Sequence, residues 1–275
     1  MTVEHIDKLA IAKSFGKAAE RYDTVAHFQR WAGQQLLAKI PENEPKVIVD
    51  LGCGTGSFYG DLKQRFSQAD YYGVDLSEQM VRFASNKQQA HWLAGDAESL
   101  PLKSSSVDLI FSSLSIQWSS DLKNLFNEVG RVLSDQGLFV FSTLVDGSLT
   151  ELKQAWSQVD GIQHVNAFAQ LSDYKNAIAF SELQLVTLEQ VEKVLYYEKV
   201  QQLTRELKML GAHNITSHRS LTLTGKQRIK KFLSAYEKFR LNNGDLPASY
   251  QVVFGVLCKN SIAMQDLFNK TLSDL

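Results

Sequence analysis

The chain has 275 residues, 44% of them hydrophobic and 21% charged, with 4 prolines, 16 glycines and a formal net charge of −1. This balance excludes a disordered, collagen-like or coiled-coil chain, and it suits one large α/β domain or a domain with a substantial insertion. Apolar residues run uninterrupted for about four positions at most, against the roughly 20 that a membrane helix needs, so no membrane span is expected.

Residues 1–45 read as N-terminal helices, because Val25, Phe28, Trp31, Ala32, Leu36 and Leu37 recur at three- and four-residue steps before Pro41 and Pro45 end the pattern. Glu4, Asp7, Lys8 and Lys13 break up the first sixteen residues, so no secretory leader is read there and a cytoplasmic location is expected. From 46 to 146, short β-branched runs alternate with amphipathic stretches. Strands are predicted over 46–51, 71–75, 91–93, 107–112 and 137–144, with helices over 57–66, 77–87 and 121–133. That alternation predicts a parallel sheet with helices between its strands. Residues 147–247 read as a mostly helical lid insertion over the active edge of the sheet, with helices over 149–159, 201–210 and 225–240 and one possible strand over 190–197. An apolar run over 250–258, inside the segment 248–260, is expected to rejoin the sheet, and 261–275 reads as a short amphipathic tail helix.

The most informative local feature is the run Val47-Ile48-Val49-Asp50-Leu51-Gly52-Cys53-Gly54-Thr55-Gly56, an apolar strand leading into a turn with three glycines and then a helix. Ligands of open α/β sheets bind at this carboxyl end, and glycine lets the chain turn tightly while a ligand approaches its backbone. The G-x-G-x-x-G fingerprint of dinucleotide sites fails, since its third position is Ser57. Asp75 ends the next strand about 20 residues on, where a carboxylate can accept two ribose hydroxyls or else cap the helix that begins near Ser77.

Two cysteines, Cys53 and Cys258, stand far apart and are expected to be reduced. None of the six histidines has the spacing of a zinc helix, so no metal is expected. Charge is uneven: from 190 to 240 there are eleven Lys or Arg against four Asp or Glu, a net +7 that suits either an acidic partner or ordinary solvated helix faces.

With Asp50 two positions ahead of glycines 52, 54 and 56, the loop resembles that of Rossmann-like S-adenosylmethionine-dependent methyltransferases. The resemblance implies a mostly parallel α/β sheet whose last strand is antiparallel. It also implies cofactor contacts from Tyr22, Asp50, Gly52, Gly54, Gly56, Asp75 and Leu76, from Asp96 and Ala97 at the adenine, and from Ser112 and Leu114 at the methyl-donating end.

Segments outside that core are more selective. Ser14-Phe15-Gly16-Lys17-Ala18-Ala19, Tyr22-Asp23, Ser115-Ile116-Gln117-Trp118, the stretch 142–152 and Arg205-Glu206-Leu207-Lys208-Met209-Leu210-Gly211-Ala212 resemble the malonyl-[acyl-carrier protein] O-methyltransferases that begin biotin synthesis. Between 163 and 188 only Asn166-Ala167-Phe168 can be matched. This resemblance implies methylation of a malonyl-thioester carboxylate, which is ionised at neutral pH and needs no catalytic base. Tyr22, Gln117 and Trp118 are the expected pocket residues, Arg205 or Lys208 the expected carboxylate holder, and Lys226, Arg228, Lys230 and Lys231 the expected docking site for acyl-carrier protein. A monomer is expected, with no nucleic-acid partner. The alternatives are a C- or O-methyltransferase of quinone type, which needs a base, and a non-catalytic binder of S-adenosylmethionine.

Overall fold

A computed structural model of the chain describes residues 7–42, 44–212 and 225–260. The tail helix predicted over 261–275 lies outside the described residues. Two helices, α1 (Lys8–Val25) and α2 (His27–Leu37), precede the sheet. Asp7 starts α1 by accepting the Ala10 amide at 3.0 Å, which satisfies one of the donors a helix start leaves open.

The alternation predicted from 46 to 146 is present. β1 (Val47–Leu51), α3 (Tyr59–Arg65), β2 (Asp70–Asp75), α4 (Glu78–Lys87), β3 (His91–Ala94), β4 (Val107–Ser113), α5 (Leu122–Val132) and β5 (Leu133–Leu144) follow in order. β1 pairs in parallel with β2 on one side and β4 on the other, Ile48 standing beside both Tyr71 and Leu109. The chain therefore leaves β1 and β4 towards opposite halves of the sheet, and the crevice this opens at their carboxyl ends is where open α/β sheets bind ligands. Successive residues of a strand face opposite ways. Ile48, Phe111 and Val140 meet α2 and α3 in one core, while Val49, Ile110, Phe139 and Phe141 meet α5 in the other.

The remaining elements differ from the predicted helical insertion. After α6 (Thr150–Ser157) come α7 (Leu171–Ala179) and the 15-residue strand β6 (Leu183–Tyr197), which forms the outer edge of the sheet. β6 begins well before the predicted 190–197 because its full length pairs with β7 (Leu246–Lys259), from Leu183 opposite Lys259 to Tyr197 opposite Leu246. The stretch 147–247 is thus not one lid: α7 packs in the core with α5, β6 is sheet, and the described residues between β6 and β7 carry α8 (Val200–Met209) and α9 (Lys226–Tyr236). The strand order is β3-β2-β1-β4-β5-β7-β6, with β7 antiparallel to both neighbours. No helix among the described residues is long and apolar enough to cross a membrane.

Candidate active site

The glycine loop closes on the end of β2. Gly52, Gly54 and Gly56 all have positive φ, +75°, +54° and +74°, a region that side chains with a Cβ avoid. The Asp75 carboxylate accepts the Gly54 amide at 2.9 Å through Oδ2 and the Ser77 amide at 2.8 Å through Oδ1. Its pKa is raised by burial, against the pull of those two amides. Nothing lies within 4 Å of a Cβ built on Gly54, so the loop is open there, whereas a Cβ on Gly56 would strike the Trp92 ring. Gly54 therefore faces ligand space, and Gly56 is a packing residue rather than the predicted contact.

Asp50 and Ser112 sit behind this loop. The Ser112 hydroxyl, fully buried, donates to the Leu51 carbonyl at 2.8 Å and lines no cavity; Ser113 and Ser115 take the place predicted for it. Asp50 accepts the Tyr71 hydroxyl at 2.8 Å. Burial pushes its carboxyl up to about 7, with the Tyr71 hydrogen bond opposing and the charge of Asp75 adding to the rise. Asp50 borders a small cavity beside the loop but does not line the larger one in front of it.

That larger cavity, about 780 Å³, runs from Gly52 and Gly54 past Asp75 and Leu76 to Asp96 and Ala97. α1 covers it, lying so close to α4 that a Cβ on Gly16 would collide with Ser77 and Gln79. At the far end Lys8 of α1 reaches Asp96 at 2.7 Å and Glu98 at 2.6 Å. Burial opposes ionisation of Glu98, but Lys8, the Ser119 hydroxyl and the Asp121 and Ser120 amides outweigh it and lower its pKa. The predicted residues missed Lys8 and Glu98, since a single cation in the first turn of a helix carries no signal of what it crosses the cavity to reach.

A second cavity of about 1100 Å³ adjoins the first, and Phe15, Tyr22, Leu114 and Trp118 line both. These four side chains form the neck between them. Phe15 packs edge-on against Trp118, ring centroids 5.4 Å apart. Burial, followed by the charges of Asp75 and Asp23, pushes the Tyr22 phenol far above its ordinary range, which keeps it a neutral O–H donor. Gln117, also predicted, lines the second cavity with its amide fixed: it donates to the Leu114 carbonyl at 2.7 Å and accepts from Thr143 at 3.4 Å.

The predicted carboxylate holders are misplaced. On α8 the apolar stripe Val200, Leu203, Leu207 and Leu210 faces the protein, so at 100° per residue Arg205 and Lys208 fall on the outer face. Both are exposed and line neither cavity; Thr204, Glu206 and Leu207 do. α8 ends in a Schellman motif, the Gly211 amide bonding the Lys208 carbonyl at 3.2 Å and the Ala212 amide the Leu207 carbonyl at 3.0 Å. Gly211, with φ +75°, abuts the Ser14 and Phe15 backbone, which seats α8 against α1.

On α9, Lys226, Lys230 and Lys231 are exposed, but Arg228 is half-buried and bonded to Asp160, so it is a structural tie rather than part of a docking face. The second cavity also has lining residues that the sequence did not single out: Gln29, whose Oε1 is buried without a hydrogen bond, Trp156 and His164. No disulfide joins Cys53 and Cys258, and among the described residues no group of three or more His, Cys, Asp or Glu is placed to hold a metal.

A family model described as a methyltransferase domain matches residues 49–141. The chain is 38% identical to the malonyl-[acyl-carrier protein] O-methyltransferase of Yersinia pestis, over 93% of each chain. It is 44% identical to the biotin biosynthesis bifunctional protein BioHC of Cellvibrio japonicus, covering 92% of this chain and 51% of that one, so it spans about half the length of that relative. Among solved structures, the YcgJ protein of Bacillus subtilis superposes with a TM-score of 0.58 at 19% identity, covering 84% of this chain and 99% of that one. At that identity the likeness is one of fold.

Proposed function

Given that this chain belongs to the malonyl-[acyl-carrier protein] O-methyltransferase family, we propose that it methylates the free carboxylate of a malonyl-thioester, using S-adenosylmethionine held in the smaller cavity. The observation that carries this reading is the neck. Phe15, Leu114 and Trp118 have no ionisable group, and the Tyr22 phenol is held neutral, so no base stands where the two cavities meet. An acceptor at the neck must arrive already ionised, as a carboxylate of pKa near 4 does at neutral pH. A phenol or carbon acid needs its proton removed.

The residues of the smaller cavity fit the donor. Asp75 retains lone pairs for the ribose hydroxyls, Gly54 leaves room for a ligand against the backbone, and Asp96 with the Ala97 amide offers an acceptor and a donor to the base. S-adenosylmethionine supplies an electrophilic methyl, taken by a carboxylate oxygen as the carbon–sulfur bond breaks, so no proton changes hands. The protein's part is placement. The Tyr22 hydroxyl and the pinned Gln117 amide orient the acceptor, and α1 and α8 exclude water from the neck. Carrier protein would approach the exposed Lys226, Lys230 and Lys231 of α9, an acidic partner meeting a basic face.

The direct test incubates the protein with S-adenosylmethionine and, separately, malonyl-, succinyl- and acetyl-thioesters. The malonyl compound should gain the mass of one methylene while the acetyl compound, lacking a free carboxylate, stays unchanged. Methyl transfer to a phenol or to nucleic acid, or to none of these, would overturn the proposal.

A further inference from the structure

A carboxylate drawn into an apolar cavity must be paired, because an isolated buried charge is strongly disfavoured. Among the described residues lining the second cavity, of about 1100 Å³, there is no Lys or Arg, and Glu206 brings the wrong sign. His164 is the one that can carry positive charge. Its ring is stacked on Trp156, with centroids 3.7 Å apart and planes 14° apart, and Trp156 is stacked in turn on Phe232 of α9 at 4.3 Å and 15°. The imidazole therefore has a fixed place in the wall.

Its protonation is arranged as well. His164 Nε2 lies 2.9 Å from Asp160 Oδ1, and Asp160 also receives the Ile162 amide at 3.0 Å and the Arg228 guanidinium. Burial opposes ionisation of Asp160, but Arg228, the Ile162 amide and His164 outweigh it and hold the carboxyl at about 2. An ionised carboxylate only accepts, so Nε2 carries a proton and donates it. Nδ1 makes no hydrogen bond among the described residues. Arg228 already balances the charge of Asp160, whose carboxylate fixes the orientation of the imidazole ring.

Resting on the carboxyl-methylation reading, we propose that His164 takes up a proton at Nδ1 as substrate enters and pairs with the substrate's carboxylate. One carboxylate oxygen is then held and the other remains free to attack. The methyl ester has lost its charge and with it the pairing, so the same residue distinguishes substrate from product. Glu206 of α8 faces the same cavity, its hydroxyl partner Tyr197 at 3.1 Å and its pKa raised chiefly by burial. Its ionisation would also repel substrate at higher pH, and the experiment separates the two.

The experiment uses malonyl-N-acetylcysteamine, whose carboxylate stays ionised from pH 6 to 8.5, and follows initial rates over that span with thermal melting as a check on folding. For the parent protein, KM should rise with pH while kcat stays flat. Binding enthalpies in buffers of different ionisation heat should report about one proton taken up per substrate. His164→Gln should raise KM about ten- to a hundredfold at pH 6.5, flatten its pH dependence and abolish the proton uptake, with kcat within about threefold. A pH-dependent KM that persists in His164→Gln assigns the effect to Glu206 and overturns the proposal. A kcat that rises with pH and is lost in the variant makes His164 a base and overturns it too. If His164→Gln does not fold, a parent KM independent of pH and binding without proton uptake refute the idea on their own. Failure of the parent to methylate the mimic and malonyl-carrier protein alike would instead sink the carboxyl-methylation reading.

Discussion

Asp75→Asn tests the smaller cavity most sharply, because it replaces one carboxylate oxygen by an NH2 group without changing shape. The carboxylate accepts Gly54 through Oδ2 at 2.9 Å and Ser77 through Oδ1 at 2.8 Å. An asparagine oxygen can keep one of these, and the amide left facing an NH2 loses about 1–3 kcal/mol. For a chain of this size that is a fall in melting temperature of roughly 2–4 °C per kcal/mol. Ser77 still caps α4 through the Met80 amide, so the fold should survive. The ribose loses more: a charged acceptor contributes about 1.5–3 kcal/mol per hydrogen bond, and with two hydroxyls at stake affinity for S-adenosylmethionine should fall at least about a hundredfold. Asp75→Ala leaves both amides without an acceptor and should be markedly less stable, which makes it the poorer probe. Calorimetric titration beside a thermal melt measures both effects. A folded Asp75→Asn protein that binds S-adenosylmethionine within threefold of the parent would refute the ribose assignment.

Asp50, with its folded pKa pushed by burial to about 7, binds a proton more tightly in the folded than in the unfolded chain. Its contribution to stability is present below about pH 4 and is lost as pH rises through 7. Asp50→Asn is neutral throughout and can still accept from Tyr71, so its melting temperature relative to the parent should climb between pH 4 and 7 and then level off; a difference that does not vary with pH contradicts the assignment. Lys8→Ala removes both ties from α1 to Asp96 and Glu98 and should speed release of bound S-adenosylmethionine several-fold in stopped-flow displacement, an unchanged off-rate showing that these ties do not hold α1 over the cavity. Lys230→Glu with Lys231→Glu should slow turnover of malonyl-carrier protein, steeply with salt, yet spare a small thioester, and equal rates on both would remove the docking face. Arg228→Ala should instead lower thermal stability, because it removes the guanidinium that balances the charge of Asp160.

What could be read in the sequence follows how local the cause is. The glycine loop was legible because three positions of positive φ leave the same residue type at each. Even so, the glycines looked equivalent when Gly54 opens on the cavity and Gly56 makes room for Trp92. β6 was half-visible because it is an edge strand with much of its surface in water, so it lacks the continuous apolar run that marks β4 or β5. Arg205 and Lys208 were chosen by charge, although the stripe through Val200, Leu203, Leu207 and Leu210 already set the helix phase that turns them outward. His164 could not be found that way. Its place depends on Asp160 four residues back and on Arg228 from a different helix, a meeting that only the tertiary structure makes.

β6 and β7 are, in effect, a long hairpin whose turn has been replaced by 198–245, since Tyr197 still stands opposite Leu246. A hairpin of that length keeps its register whatever its tip carries. The tip can therefore lengthen, shorten or change composition without moving β1, β4 or the glycine loop that they position. α8, which walls the acceptor cavity, and α9, which bears the basic face, both hang from that tip. One wall of the second cavity and the exposed lysines of α9 thus share one segment beyond the sheet, while Gln117, Trp156 and His164 of that cavity and the glycine loop stand outside it.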